Sequence, residues 1–206
     1  MKNKYLSEFL GTFLLTSCVV GSGIMAENLS NGSPALALLA NTIATGAVLF
    51  VIIKMFSQTS GAHFNPVVSL IFFFKKELGK NDFVYYVASQ IIAAVIAVII
   101  THYLFDLDLL QISKNHRGEL NMLLSEAIAT FGLVLTILLV RENDETSMAS
   151  SVAMYIMAGY WFTPSTSFAN PAVLIGRLFT DTFTGIAPSS FLFFLFGQFL
   201  GALFSL

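Results

Sequence analysis

The chain has 206 residues, 56% of them hydrophobic and only 11% charged, with a mean hydropathy of +0.79. A soluble domain of this length carries about twice that charged fraction, so the composition describes an integral membrane protein. The formal net charge of −2 is too small to point to nucleic acid or to an acidic substrate.

In chain order, the first apolar segment runs over about residues 5–25. Lys2 and Lys4 give it the flank of a signal peptide. It also carries Glu8 and is about 20 residues long, which suits a retained span. Cys18, the single cysteine, lies inside it. It forms no intramolecular disulfide, leaves the compartment open, and reads as a small buried hydrophobe rather than a reactive thiol. The second span covers 35–56 and contains Thr45. An apolar piece over 66–74 follows Asn65-Pro66 and is too short to cross a bilayer. Spans three and four cover 83–104, with Gln90, and 120–140, with Glu126. The fifth, 147–163, is the shortest. A second short piece, 171–180, follows Asn170-Pro171, and the sixth span, 189–206, holds Gln198.

Lysine and arginine set the orientation. With the N-terminus inside, the inner side receives Lys2, Lys4, Lys54, Lys75, Lys76, Lys80 and Arg141, and the outer side Lys114, Arg117 and Arg177. This favours cytoplasmic termini in a cell inner or plasma membrane, although the acidic run "RENDE" (141–145) weighs against it.

The chain repeats itself. "EFLGTFLLT" (8–16) resembles "EAIATFGLVLT" (126–136), aligning Glu8 with Glu126, Thr12 with Thr130 and Phe13 with Phe131. "GAHFNPVVSL" (61–70) resembles "SFANPAVLIGR" (167–177), and Gln90 and Gln198 fall in the third span of each half. The halves cover about 1–110 and 118–206 of one membrane domain. Three spans per unit make the second enter from the opposite side: an inverted repeat, as in many transport proteins, whose sites lie near the midplane.

Irregular backbone at membrane depth must be buried in protein or line water. Asparagine is a favoured N-cap, and proline after it is preset for helix. Asn65-Pro66 and Asn170-Pro171 therefore each start a short helix, and in an inverted repeat the two starts can meet near the middle. Two positive helix ends at one pore point oppose cations. Each asparagine uses its oxygen to cap and leaves its NH2 free for a passing solute. The chain before each, Ser60 to His63 and Thr166 to Ala169, is extended, with carbonyls able to accept. Such a wall suits small neutral hydroxylated molecules.

On these motifs the chain resembles the aquaporin and aquaglyceroporin (major intrinsic protein) family. The resemblance covers almost the whole length: "EFLGTFLL", "SGAHFNPVVSL", "ASQIIAA", "SEAIATFGLVL" and "FANPA". It implies an all-α fold of six transmembrane helices and two re-entrant half-helices. It also implies a homotetramer of independent pores that pass water or small neutral solutes passively, with the lipid bilayer as the surrounding partner. Under it, Glu8 and Glu126 brace the two re-entrant loops, in keeping with the cost of a carboxylate in lipid. His63 either lines the inner pore or packs its loop, and Gln90 and Gln198 read as helix-packing groups.

The chain departs from the family's pattern twice. The first motif is Asn65-Pro66-Val67, where the family usually has alanine third; the extra methyls can pack against the other loop. After Asn170-Pro171-Ala172 the family usually has arginine, and here stands Val173. The resemblance then places the outer constriction at Thr45, Ala158 (or Gly159), Ser167 and Val173, a wide, fairly apolar, arginine-free ring. It would pass polyols, urea-like molecules or neutral metalloid hydroxides; the "FANPAV" form also resembles a bacterial branch linked to arsenite. Arg177, a turn beyond Val173, either points into the outer vestibule or pairs with Asp181 at i,i+4, the spacing favouring the pair. Tyr160, Trp161 and Phe162 read as an aromatic belt or packing, with one able to cover the pore mouth.

A secondary transporter with alternating access is the alternative, since it too uses inverted repeats and half-helices. It needs a coupling-ion site, and the only acids inside spans occupy the bracing positions. An enzyme is not expected: there is no metal-ligand cluster, nucleophile elbow or phosphate loop, and His63, His102 and His116 are scattered. Neither cofactor nor metal is expected.

Overall fold

The computed structural model describes residues 3–206; Lys2, counted above for orientation, lies outside the described residues. The elements in order are α1 (Lys4–Leu29), α2 (Pro34–Ser60), α3 (Pro66–Phe74), α4 (Lys80–Leu104), α5 (Leu120–Asn143), α6 (Met148–Phe162), α7 (Pro171–Arg177) and α8 (Pro188–Phe204). A single 3-10 turn, Glu145–Ser147, joins α5 to α6. Helices α1, α2, α4 and α5 are long and apolar enough to cross a membrane; α8 is apolar and shorter. Helix α6, at 15 residues, is the shortest of the six expected spans.

Local chemistry sets the helix starts. Asn3 caps α1, accepting from the N–H groups of Tyr5 and Leu6 at 3.1 and 3.3 Å. Ser33 caps α2 ahead of Pro34, and Asn65 and Asn170 cap α3 and α7 ahead of Pro66 and Pro171. Helix α2 ends where Gly61 turns left-handed at φ +84° and donates to Ser57 O, a conformation that glycine adopts without a Cβ clash.

The two halves pack alike. α1 lies against α2 and α4, and α5 lies against α6 and α8. α3 touches α4, α7 touches α8, and each short helix also crosses to the other half, α3 to α8 and α7 to α4. Lipid gives no hydrophobic drive between helices, so close backbone approach has to hold them together. Gly201 allows it: a Cβ there would collide with the Ala127 carbonyl of α5. The largest apolar cluster draws Leu15, Leu49, Leu133, Ile156 and Val173 from five different helices. These residues are the wall of a central cavity.

Candidate functional site

The cavity has a volume of about 850 Å³ and reaches from Lys54 and Arg141 at one end to Tyr160 and Arg177 at the other. Halfway along it the two short helices meet tip to tip. Asn65 caps α3 through Oδ1, accepting from Val67 N at 3.1 Å. Its Nδ2 donates to Ala169 O, at the other tip, at 2.7 Å. Asn170 accepts from Ala172 N and Val173 N at 3.0 and 3.3 Å and returns the cross-bond from Nδ2 to Phe64 O at 2.9 Å. Each NH2 thus gives one hydrogen to the opposite loop. The expectation of a wholly free NH2 is corrected to one remaining N–H per asparagine, on side chains that line the cavity.

A buried carboxylate stands behind each tip. Glu8 accepts from His63 N (2.9 Å), Phe64 N (2.6 Å), Ser60 Oγ (2.7 Å) and Gln90 Nε2 (2.8 Å). Glu126 accepts from Phe168 N (3.0 Å), Ala169 N (2.9 Å) and Gln198 Nε2 (2.7 Å). Both carboxylates are fully buried, and an unpaired buried N–H is costly. Two serines complete the frame at equivalent places. Ser60 Oγ accepts from Ala62 N at 3.1 Å, and Ser165 Oγ from Ser167 N at 3.3 Å. The residue before each asparagine, Phe64 (φ 50°) and Ala169 (φ 45°), is left-handed. So is the residue three before, Ala62 (φ 53°) and Ser167 (φ 49°). A side-chain-bearing residue adopts this shape at a cost of about 1–2 kcal/mol, and the network holds it there. Ser60, expected in an extended stretch, instead ends α2 and bonds Glu8, and Ser165 is not singled out by the sequence, although both stand five residues before an Asn-Pro.

The lining departs from expectation at four places. Ala158 is exposed on the outer surface, so it is not a pore residue. Helix α6 presents Ala149, Val152, Ile156 and Tyr160 to the cavity, a stripe with helical spacing that Ala158 falls off; Gly159, the alternative, is buried behind Ser167, whose Oγ lies 2.6 Å from where a Cβ on the glycine would stand. Tyr160 is therefore wall and not belt, with its hydroxyl 3.2 Å from Thr45 Oγ1. Trp161 and Phe162 are exposed, as a belt requires. Arg177 does not pair with Asp181, because α7 ends at Arg177 and the chain turns away. Asp181 instead accepts from Lys114 N at 2.7 Å. Arg177 is 3% exposed, lines the cavity, lies 3.3 Å from the Phe168 ring centroid and donates through Nε to Thr184 O. The wall is thus not free of arginine. Finally, Val67 packs with Ile71, Val134 and Ala202 rather than against the other loop.

Thr45, Ser167 and Val173 line the cavity, and Ser167 Oγ, itself buried, has no hydrogen-bond partner among the described residues. His63 both lines the cavity and packs its loop, with Nδ1 3.1 Å from Ser69 Oγ and the ring stacked on Phe72 at 4.6 Å. Arg117, absent from the sequence reading of the site, lies 5.3 Å from the Phe168 ring and donates to Gly185 O (2.7 Å) and Phe183 O (2.9 Å). At the opposite mouth, Arg141 bonds Glu77 and lies 5.0 Å from the Phe72 ring. Nearby, Asp144 accepts from Ser147 and Thr146, which hold its carboxyl below the usual range.

The profile of the Major intrinsic protein family matches residues 1–206. The chain is 46% identical over 206 residues to aquaglyceroporin AqpS of Rhizobium meliloti, covering all of this chain and 88% of that one. It is 28% identical over 212 residues to an aquaglyceroporin of Toxoplasma gondii, covering 98% and 76%. Its fold is similar to that of the aquaglyceroporin from Plasmodium falciparum, with a TM-score of 0.74 at 23% identity over 98% of this chain and 92% of that one.

Proposed function

The chain belongs to the major intrinsic protein family, and from that premise we propose that its cavity is a passive transmembrane channel for water and small uncharged solutes such as glycerol. Members of the family are channels and not enzymes, and this chain is an integral membrane protein of that fold.

The observation that carries the proposal is the meeting of two capped half-helices inside the cavity, cross-bonded by Asn65 and Asn170. Each asparagine keeps one N–H for a solute oxygen. The two positive helix ends raise the energy of a cation where water is scarce. Carbonyls of the left-handed loops accept from solute hydroxyls as they pass. Alternating access would require a coupling carboxylate, and Glu8 and Glu126 are both fully engaged in holding loops.

The outer constriction is read as Thr45, Tyr160, Ser167 and Val173, with Arg177 one turn beyond. Val173 leaves the position near the tip uncharged. Arg177, fixed by Thr184 O and Phe168, brings a guanidinium back to the outer end. That combination fits a pore wider than a water filter at its tip and cationic at its mouth. Polyols, urea-like molecules and neutral metalloid hydroxides are the solute class. The halves, about 1–110 and 118–206, are read as an inverted repeat, the assembly as a homotetramer, and the termini as cytoplasmic in a cell inner or plasma membrane.

Stopped-flow light scattering of proteoliposomes with water, glycerol, urea and an uncharged metalloid tests the proposal. Flux is expected to be saturation-free and unchanged by a protonophore. Flux that collapses with the proton gradient would instead establish a coupled transporter.

A further inference from the structure

The corner where α3 ends and α4 begins carries positive charge that no carboxylate among the described residues pairs. Lys75, Lys76 and Lys80 stand there, all exposed. One acid, Glu77, lies among them in sequence and another, Asp82, lies two residues beyond Lys80; both are engaged elsewhere. Glu77 is bonded by Arg141. Asp82 receives Lys4 Nζ at 2.7 Å and the Tyr5 hydroxyl at 2.6 Å. Among the described residues none of the three lysines has a carboxylate within 4.0 Å.

The corner is rigid and flanked by exposed apolar groups. Phe73 stacks on Phe83 at 5.1 Å, joining the end of α3 to the start of α4, and Tyr85 packs on Tyr5 at 5.2 Å. Phe74, Val84 and Tyr85 are 47%, 55% and 56% exposed. Lys76 is left-handed at φ +60° just past the helix end, with its N–H on Phe73 O and the next N–H on Phe72 O. Glycine is the usual residue in that conformation; here the chain keeps a lysine at a place where its backbone is strained.

We propose that this corner binds the headgroup of an anionic phospholipid in the adjoining leaflet. The lysines receive the phosphate, and Phe74, Val84 and Tyr85 meet the acyl chains. Polybasic groups beside a membrane span attract acidic lipids in this way. A soluble anion would draw on the lysines but gain nothing from the apolar flank. The inference rests on the membrane reading of the chain and is independent of what the pore conducts.

Native mass spectrometry of the delipidated protein in neutral detergent, with phosphatidylglycerol, phosphatidylcholine or inorganic phosphate added, tests it. Phosphatidylglycerol is expected to bind more tightly than phosphatidylcholine. Replacing all three lysines (Lys75→Gln, Lys76→Gln, Lys80→Gln) should weaken it at least tenfold, since each lysine near a charged surface contributes roughly fivefold. Water flux of that variant in phosphatidylcholine vesicles should match the parent, which separates loss of this site from failure of the channel reading. Lys76→Gly relieves the left-handed strain, so it should keep or raise the melting temperature while still losing about fivefold in phosphatidylglycerol affinity. Equal affinity for the two lipids, a triple variant that binds as the parent does, or inorganic phosphate competing as well as the lipid would overturn the proposal.

Discussion

In the loop between α2 and α3, a histidine two residues before the asparagine stacks on a phenylalanine seven residues after it, His63 on Phe72 at 4.6 Å. In the loop between α6 and α7, the same two places hold phenylalanine and arginine, Phe168 and Arg177, 3.3 Å apart. A second arginine attends each pair, Arg141 at 5.0 Å from Phe72 and Arg117 at 5.3 Å from Phe168. Behind both pairs the frame is the same: a carboxylate, a glutamine, a serine, two N–H groups and a cross-bonded asparagine. The frame answers one demand, that irregular backbone at membrane depth be fully hydrogen-bonded. The pairs answer another, which solute may pass, and there the halves diverge.

The comparison breaks most severely if the frame is removed. Glu8→Ala strands four donors and Glu126→Ala three. Each stranded buried group costs about 1–3 kcal/mol. Both variants should lose most of their folded yield in detergent, Glu8→Ala at least as much as Glu126→Ala, as read by size-exclusion profile and thermal midpoint. Near-parental stability in either would mean that the carboxylates are not what hold the loops.

This frame was legible in the sequence because its parts cannot hide. Glu8, Glu126 and the two Asn-Pro pairs are polar groups in an apolar chain, repeated at matching positions. Element boundaries followed for a similar reason, with α3 starting at the proline as its cap dictates. The facing of α6 was not legible. Its exposed and buried sides are both apolar, so nothing in the sequence says which residue looks inward, and Tyr160 lines the cavity where Ala158 or Gly159 is expected. The place of Arg177 was hidden by treating α7 as a continuing helix, in which Asp181 would have been its neighbour; the helix stops at Arg177.

The outer pair comes next in expected effect. Arg177→Leu removes the guanidinium and leaves Thr184 O without its partner, at a stability cost of about 1–3 kcal/mol. Glycerol flux should rise severalfold, and a cation conductance should appear that the parent lacks, measured by planar-bilayer recording. Unchanged selectivity would show that the mouth is not governed by this charge. Phe168→His makes the outer pair resemble the inner one, but between two arginines. A neutral imidazole there is tolerable and a protonated one is repelled, so protonation is pushed below the ordinary imidazole value of about 6.5; flux should hold at neutral pH and fall only in the more acidic range, whereas the parent should show no such step.

A smaller change separates wall from bond. Tyr160→Phe keeps the ring in the cavity and deletes only the contact with Thr45 Oγ1, worth about 1 kcal/mol. The thermal midpoint should drop by a few degrees, and the ratio of glycerol to water flux should change little. A large shift in that ratio would make the hydroxyl, not the ring, the selective element.

The smallest effect is expected from His63→Phe, which gives the inner loop the aromatic that the outer loop has. The brace acts on the backbone N–H of residue 63, not on its ring, so the link to Glu8 survives. Ser69 Oγ loses the imidazole but still accepts from Gln90 Nε2 at 3.0 Å. The new ring can stack on Phe72 and meet Tyr86 as the histidine does, an aromatic pair worth about 0.5–1.5 kcal/mol. Stability should therefore stay within about 1 kcal/mol of the parent, and water and glycerol fluxes within about twofold, which is about 0.4 kcal/mol of barrier. The same exchange in the opposite direction at Phe168 is expected to be costly and pH-dependent. If His63→Phe altered glycerol flux as strongly as Arg177→Leu, selection would lie at both ends of the pore, and the assignment of solute choice to the outer pair would fail.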